Sequence, residues 1–406
     1  MPKFLTILPL LAALSISATS FAAKAEDKPI TRCAQMRYDQ SAPEMIGYAM
    51  KRIKLKEIDI GDQAVIVQPA MAGLRGPRLT MLGRDVRLAV TKGQVSPQEL
   101  WHRAHWNEER VYTTCQTWPK RTWKQSINYG KHWKGIVDNM VGFTDTSPRA
   151  FYRSRFVYEG VLVRPYGFTF GGGVSIPFAT NTESLVFQED QREPVRRDIA
   201  RFSNGGGIER LYASWRSTPV TNFHIALTAG WVEEMYGGMG AEAVWRPFES
   251  PFWIGADAWK LWRRDSRKPF NMPWLDEQTF TGHVRAGYDI PNTRASVSIA
   301  AGQYLAEDKG VSLHYTQDLF ESLRIEAGLT WTDREEAHGF LSDTHFEPTV
   351  RATWTLGGDK HYESRVSFRQ VGRDGGQMVD RPLPIERITE KFSAREMARA
   401  WPGMLD

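Results

Sequence analysis

From about residue 120 onward, apolar residues recur at every second position, in segments set apart by turn residues. Phe223, Ile225, Leu227, Ala229 and Trp231 share one parity, with His224, Thr228 and Gly230 between them. The same alternation runs through 282–289, 294–301, 323–331, 350–356 and 365–369. A period of two puts one set of side chains on each face of a sheet. The polar set carries charges and glycines in mid-strand, and the apolar set often ends in Trp or Tyr. A soluble sandwich turns its apolar faces inward. A membrane barrel turns them to lipid, with aromatics at both interfaces and a polar lumen. The segments run about 9–11 residues, the length a tilted spanning strand needs, against about 5–6 for an average soluble strand. The pattern therefore predicts a mainly β chain: an antiparallel outer-membrane β-barrel of about 12 strands over 120–376. The rival on residues alone is a soluble periplasmic β-sandwich that binds glycans.

The rest of the chain reads differently. Residues 1–25 have the form of an export signal: Lys3, an apolar stretch from Phe4 to Ser15, and A-x-A-like cleavage sites at 20–22 and 23–25. Residues 26–118 predict a small periplasmic α+β module. A helix is expected after Ser41, strands at 65–67 and 86–90, and a second helix opened by Ser96, Pro97 and Glu99. Residues 180–206 are too charged and too long for a turn, and fold into the lumen or lie outside it. Residues 377–406 form a C-terminal tail without strand pattern, helix-permissive from Glu386 to Met397.

Composition narrows the class. The chain has 406 residues and 12% aromatics, including 15 Trp, too many large apolar groups for a disordered chain. Past the N-terminus no apolar run reaches the roughly 20 residues of a spanning helix. The formal charge of +5 is small and dispersed, which argues against nucleic acid as a partner. Export puts Cys33 and Cys115 in an oxidising space, where they either bridge or stay as two thiols. Ile30, Thr31 and Arg32 before Cys33 do not make a lipobox, so no acylation is expected there.

Little in the sequence promises chemistry. Nine His give no H-E-x-x-H and two Cys give no CxxC, so neither metal nor cofactor is expected. The glycines of Tyr236-Gly237-Gly238-Met239-Gly240 lack phosphate-loop spacing and read as a tight hairpin turn. Ser312 and His314 share a strand face and are the one serine–histidine pair that a barrel hydrolase would use. Two sets are candidate contacts for an acidic polysaccharide. One is the lumen-side Arg285, Arg324, Arg351, Arg365 and Arg369, which either attract an anionic chain or pair with Glu326, Asp289 and Glu363. The other is a basic aromatic rim around Trp259, Trp262 and Arg264, whose plainer reading is an interfacial girdle.

Several motifs then fall in order. Gly230 to Glu242 carries Glu234, Met235, Gly238, Gly240 and Glu242, followed by Arg246 and Pro247. Thr281-Gly282-His283 comes next, then Gly302 to Gly310 with Tyr304, Asp308 and Gly310, then Thr330 to Asp333, then Arg373, Asp374 and Gly375. This series resembles the YjbH family of outer-membrane exopolysaccharide-biosynthesis proteins, across most of 120–380, and the C-terminal half of its longer members in particular. The resemblance implies an outer-membrane barrel that assists exopolysaccharide production or export, without catalysis. It implies outer-membrane lipid, acidic polysaccharide and periplasmic exopolysaccharide-machinery proteins as partners. No catalytic residue carries over from it.

Overall fold

The computed structural model describes residues 33–38, 64–92, 94–106, 115–117, 131–144, 147–184, 195–196, 198–265, 278–320, 322–333, 346–356, 362–370 and 375–401. The expected signal segment, the helix expected after Ser41, and Arg373 and Asp374 lie outside the described residues.

The small N-terminal part holds β1 (Cys33–Tyr38), β2 (Ala64–Met71), β3 (Leu74–Arg75), β4 (Leu79–Leu82), β5 (His105–Trp106) and β6 (Cys115–Thr117), with α1 (Gly83–Lys92) and α2 (Pro97–Arg103). Its sheet runs β5-β4-β2-β1-β6, with β3 added on β2. Ala64, Val65, Ile66 and Val67 are all buried, as an apolar run covered on both faces should be. Helix α2 begins as expected: Ser96 Oγ accepts from the Glu99 N–H at 3.1 Å, and Pro97 takes the first turn. The strand expected at 86–90 is instead part of α1. Residues 79–82 already fill the sheet position, and the chain turns into a helix at Gly83. Asp85 sits in the first turn, where the helix dipole favours a negative charge, and accepts from Arg103 of α2 at 3.2 Å. Strands β1 and β6 pair in parallel with Cys33 opposite Cys115, one strand spacing apart. That spacing of about 4.8 Å lies in the Cα range a disulfide needs.

The barrel follows: β7 (Lys131–Thr144), β8 (Ser147–Val163), β9 (Phe168–Thr180), β10 (Gly207–Val220), β11 (Phe223–Trp231), β12 (Tyr236–Trp245), β13 (Phe252–Arg263), β14 (Gln278–Asp289), β15 (Ala295–Gln303), β16 (Lys309–Asp318), β17 (Leu323–Thr332), β18 (Phe346–Leu356) and β19 (Tyr362–Gln370). These strands form one closed barrel in chain order, closed by β19 on β7. It has thirteen strands where about twelve were expected, all of them antiparallel. Neighbours run antiparallel except at the closing seam, where β19 pairs with β7 in parallel, Tyr362 opposite Gly135. An odd number of up-and-down strands leaves the first and last pointing the same way, so the seam has to be parallel.

The apolar faces point outward, which removes the sandwich reading. Phe156, Phe170, Ile176, Leu211, Leu227, Ile254, Val284, Ile299, Leu313 and Val350 are exposed around the wall. Water does not tolerate so extended an apolar surface, and lipid does. Aromatics gather toward both ends of the belt. Trp245, Phe252, Trp354 and Tyr362 stand at one rim; Phe143, Phe178, Phe280 and Trp331 stand at the other.

The two rims differ. One has only short connections, such as 164–167, 221–222, 246–251 and 290–294. The other carries the long ones, 181–206, 264–277 and 333–345. The N-terminal part sits on the short-turn rim. Arg75 donates from its backbone N–H to Thr218 Oγ1 at 2.9 Å and from Nη2 to Thr218 O at 2.8 Å. Trp106 stacks on Phe248 at 4.4 Å between ring centres.

The glycines of 237–240 lie inside β12, and the turn before them is 232–235. Their reason is packing rather than a hairpin: a Cβ at Gly240 would collide with the Trp259 indole of β13. The glycine run of β9 has the same cause at Gly171, which lies against the Tyr212 ring.

Candidate functional site

The lumen is where polar chemistry collects, because period two sends most charged strand positions inward, Lys260 of β13 being an outward exception. The sequence offers 180–206 as a filler and gives no sign that the C-terminal tail enters it. After β19 the chain is at the long-loop rim, and it returns through the barrel to the short-turn rim. At the entry, Asp308 Oδ2 accepts from the Gly376 N–H at 2.7 Å, and Leu305 N–H donates to Gln377 O at 3.0 Å. Glu233 Oε2 then accepts from the Asp380 N–H at 2.7 Å. Midway, Glu242 of β12 accepts from the Ile385 N–H at 3.1 Å and faces Arg381 at 3.5 Å. Two helices follow, α4 (Ile385–Glu390) and α5 (Ala394–Ala400). Arg324 of β17 binds Glu390 at 3.0 Å, and Arg387 binds Glu326. At the exit the Ala394 N–H donates to Phe248 O at 3.1 Å, and Trp401 Nε1 to Pro97 O of α2 at 2.6 Å. Ile385, Phe392, Met397 and Trp401 share one core with Val65, Leu79 and Leu100. The tail is thus pinned along its length and anchored in the N-terminal part.

Charge holds the tail as much as packing does. Burial pushes the Glu386 carboxyl up, but Arg381 and then Arg285 outweigh it and hold the group down to about 2. Burial likewise raises the Glu390 carboxyl, and Arg324 and Arg246 bring it below its ordinary range. Arg216 is the exception. It is fully buried, and its reach to the tail is to the carbonyls of Pro382 and Leu383, at 3.5 and 3.4 Å. Leu383 itself sits at φ 49°, the left-handed region that a branched side chain seldom adopts.

The segment 180–206 folds inward where described. Residues 199–205 form α3, whose Ile199 is buried with Met140, Val232, Trp259, Leu305 and Val379. Arg196 binds Glu233 at 2.7 Å and donates to Gln377 Oε1 at 2.8 Å, locking this segment over the tail's entry. Burial lowers the Arg196 guanidinium, and Glu233 more than restores it, so the group stays charged.

The motif residues divide between tail contacts and wall packing. Glu242 and Asp308 hold the tail directly. Gly375 is buried just before the tail enters. Glu234 binds Arg153 at 2.8 Å, the Met235 carbonyl accepts from the Arg264 N–H at 2.8 Å, and Arg246 binds Asp289. The Pro247 carbonyl accepts from the Ser250 N–H at 3.3 Å in the turn, and Asp333 Oδ1 accepts from the Lys309 N–H at 2.7 Å. Gly238 and Gly310 each lie against a neighbouring strand's backbone where a Cβ would clash.

The polysaccharide candidates separate. Arg285 is buried against Asp257. Arg365 binds Glu363 at 2.8 Å, and Arg351 and Arg324 each reach Glu326 at 3.8 Å. Asp289 pairs with Arg246 instead of with this set. Arg369 faces the lumen from the same side of β19 as Arg365. Trp259, Trp262 and Arg264 are all buried, so they form neither an exposed rim nor a girdle. Trp259 fills the lumen beneath α3, and Arg264 donates to the carbonyls of Ile208 and Glu234 at 2.9 and 2.8 Å. Ser312 and His314 do share the lumen face. Ser312 is fully buried, and its hydroxyl lies 2.7 Å from both Tyr304 Oη and Thr330 Oγ1. Among the described residues no group of His, Cys, Asp and Glu is arranged to hold a metal ion.

Fold and lumen together define a closed β-barrel threaded by its own C-terminal segment. The profile of the family described as exopolysaccharide biosynthesis protein YbjH (YjbH) matches residues 102–390, and the chain belongs to that family. The relative described as uncharacterized lipoprotein YjbH, from Escherichia coli K12, is 28% identical over 375 residues, which cover 88% of this chain and 52% of that one. The chain thus spans about half the length of that relative. Among solved structures, the OmpF porin of Salmonella typhi aligns at 10% identity with a TM-score of 0.31, covering 55% of this chain and 85% of that one. A mutant porin of Rh. blastica aligns at 11% identity with a TM-score of 0.27, covering 56% and 89%.

Proposed function

We propose that this chain is an outer-membrane barrel that assists exopolysaccharide biosynthesis or export without catalysing a covalent step. Family membership supplies the process. The apolar belt with aromatics at both ends supports the membrane placement. In barrels of that membrane the short turns face the periplasm. That orientation puts the N-terminal part on the periplasmic side, within reach of periplasmic machinery.

The threaded tail is the observation that carries the accessory role. A barrel whose interior is pinned to its own chain from Gly376 to Trp401 is a rigid platform rather than a wide diffusion pore. The buried, doubly bonded Ser312 supports the non-catalytic reading, because a nucleophile has to meet its substrate. In a polymer-producing host, deletion of the gene is expected to lower secreted polysaccharide, with restoration by the full chain. Unchanged yield and composition after deletion would sink this reading.

A further inference from the structure

The lumen is not filled evenly. Opposite the packed tail, the inner faces of β18 and β19 present Arg351, Thr353 and Thr355, then Glu363, Arg365, Ser367 and Arg369. Among the described positions the inner faces of these two strands carry no apolar side chain, and on β7 beside them Ile136 and Met140 are inward and buried. The polar wall continues onto Lys134 of β7 and Glu326 of β17, and α4 of the tail faces it with Arg387. Its ion pairs have a recurring form. Glu363 lies between Lys134 and Arg365, and Glu326 lies between Arg351 and Arg387. Each carboxylate serves more than one cation, Glu326 taking Arg324 as a third at 3.8 Å, and the carboxylates lie underneath. Glu363 and Glu326 side chains are 7% and 18% exposed, whereas Lys134, Arg351 and Arg387 are 45%, 43% and 51% exposed. Lys134 and Arg351 are inward positions of the barrel wall and Arg387 faces them from α4, so their exposure marks water-filled space between wall and tail. Asp380 of the tail borders this space from the far side, held to Arg210 at 3.1 Å.

We infer that this cationic gallery between α4 and the β17–β18–β19–β7 wall binds an extended stretch of an acidic, carboxylate-bearing glycan. The inference rests on the exopolysaccharide role proposed above and names its ligand class and site. Three features select that ligand. The exposed ends of the pairs are cations with donors to spare, since one carboxylate cannot saturate two of them. Threonine and serine hydroxyls stand between the charges, suited to sugar hydroxyls and not to an apolar ligand. The charged positions from Glu363 to Arg369 span six residues of one strand, roughly 20 Å, and the wall is three strand spacings or about 14 Å wide. That length suits a chain and is more than one small anion needs.

The test uses the purified full chain in detergent micelles and titrates it with an oligogalacturonate at low salt. A maltooligosaccharide of matched length is the neutral control, and inorganic phosphate is the competitor. The oligogalacturonate is expected to bind, to weaken as salt rises, and to lose roughly tenfold in affinity in Lys134→Gln/Arg351→Gln. The single variant Lys134→Gln, at a half-exposed position, is expected to lose part of that affinity with the barrel intact by heat-modifiable gel mobility. No binding at low salt overturns the inference, and so does equal binding of the neutral oligomer or equal binding by both variants. Displacement of the oligomer by phosphate at matched charge concentration would make this a small-anion site and overturn the polymer. Binding is read without cells, so its failure leaves the effect of gene deletion on polymer yield standing, and the reverse also holds.

Discussion

Two sides of one lumen obey different physics. Along β8 to β16 the inward side chains are packed dry against the tail and each other: Trp259, Tyr304, Arg216 and Ser312 are all fully buried. There Arg155 lies among Asp138, Glu209 and Glu234, at 2.8 Å from Asp138 and 3.3 Å from Glu234. Along β17 to β19 and the start of β7 the same kinds of residue stand in water, with Arg351 and Lys134 close to half exposed. The residue types are alike, and the difference is what covers them. A charge without water depends wholly on its partner, and a charge in water hardly needs one. The dry side therefore holds the structure together, and the wet side is free to meet something else.

The largest effect should come from breaking a dry network. Arg155→Met removes the one cation that lies among Asp138, Glu209 and Glu234 together, and leaves Arg153, with Arg365 acting on Asp138 and Arg369 on Glu234. Removing one partner of a buried ionic cluster costs about 3–5 kcal/mol. The unboiled, fast-migrating form of the barrel is expected to be lost at a clearly lower temperature. A transition unchanged from wild type would mean that water reaches this network, and the contrast between the two sides would break.

Acid should act next, through the tail. Glu386 is held at about 2 when folded, against an ordinary value of 4.5. A carboxyl lowered by folding contributes stability above its unfolded value, and that stability fades as pH falls toward the folded one. The window therefore runs from about 4.5 down to about 2. Glu390 acts in the same direction. Glu396, raised by burial against Arg399, gains from protonation and softens the upper part of the window. Pepsin is expected to cut within 377–401 as pH falls through this range while the strands stay intact. A tail equally resistant across the window would show that packing alone holds it.

What the sequence revealed follows the range of each interaction. The strands β11, β14, β15, β17, β18 and β19 were legible because alternation is local, and a closed wall with its apolar face outward keeps it clean. The parallel seam depends on an exact count of strands, and one uncounted strand reverses it. Residues 86–90 alternate like a strand, yet form part of α1, because residues 79–82 occupy the sheet and Asp85 begins a helix. The tail was visible only as a charged, helix-permissive end. Its partners lie far away in sequence: Glu242 meets Ile385 across 143 residues, and Pro97 meets Trp401 across 304. The candidate arginines could be put on the inward face from parity alone. Which of them are dry, like Arg285, and which wet, like Arg351, depended on the path of the tail, and no local pattern encodes that.

The smallest effect sharpens the comparison most. Arg351→Gln removes a cation 3.8 Å from Glu326, a carboxylate that Arg387 also binds. An exposed pair of this kind is worth about 0.2–1 kcal/mol, and here the carboxylate keeps both Arg387 and Arg324. The variant's gel-mobility transition is expected to lie within a few degrees of wild type, far from that of Arg155→Met. Added salt should shift it little further, because what it has lost was already screened by water. A loss as large as that of Arg155→Met would show that Arg351 is supporting the wall. The space beside it would then be a flaw in packing rather than room for a ligand.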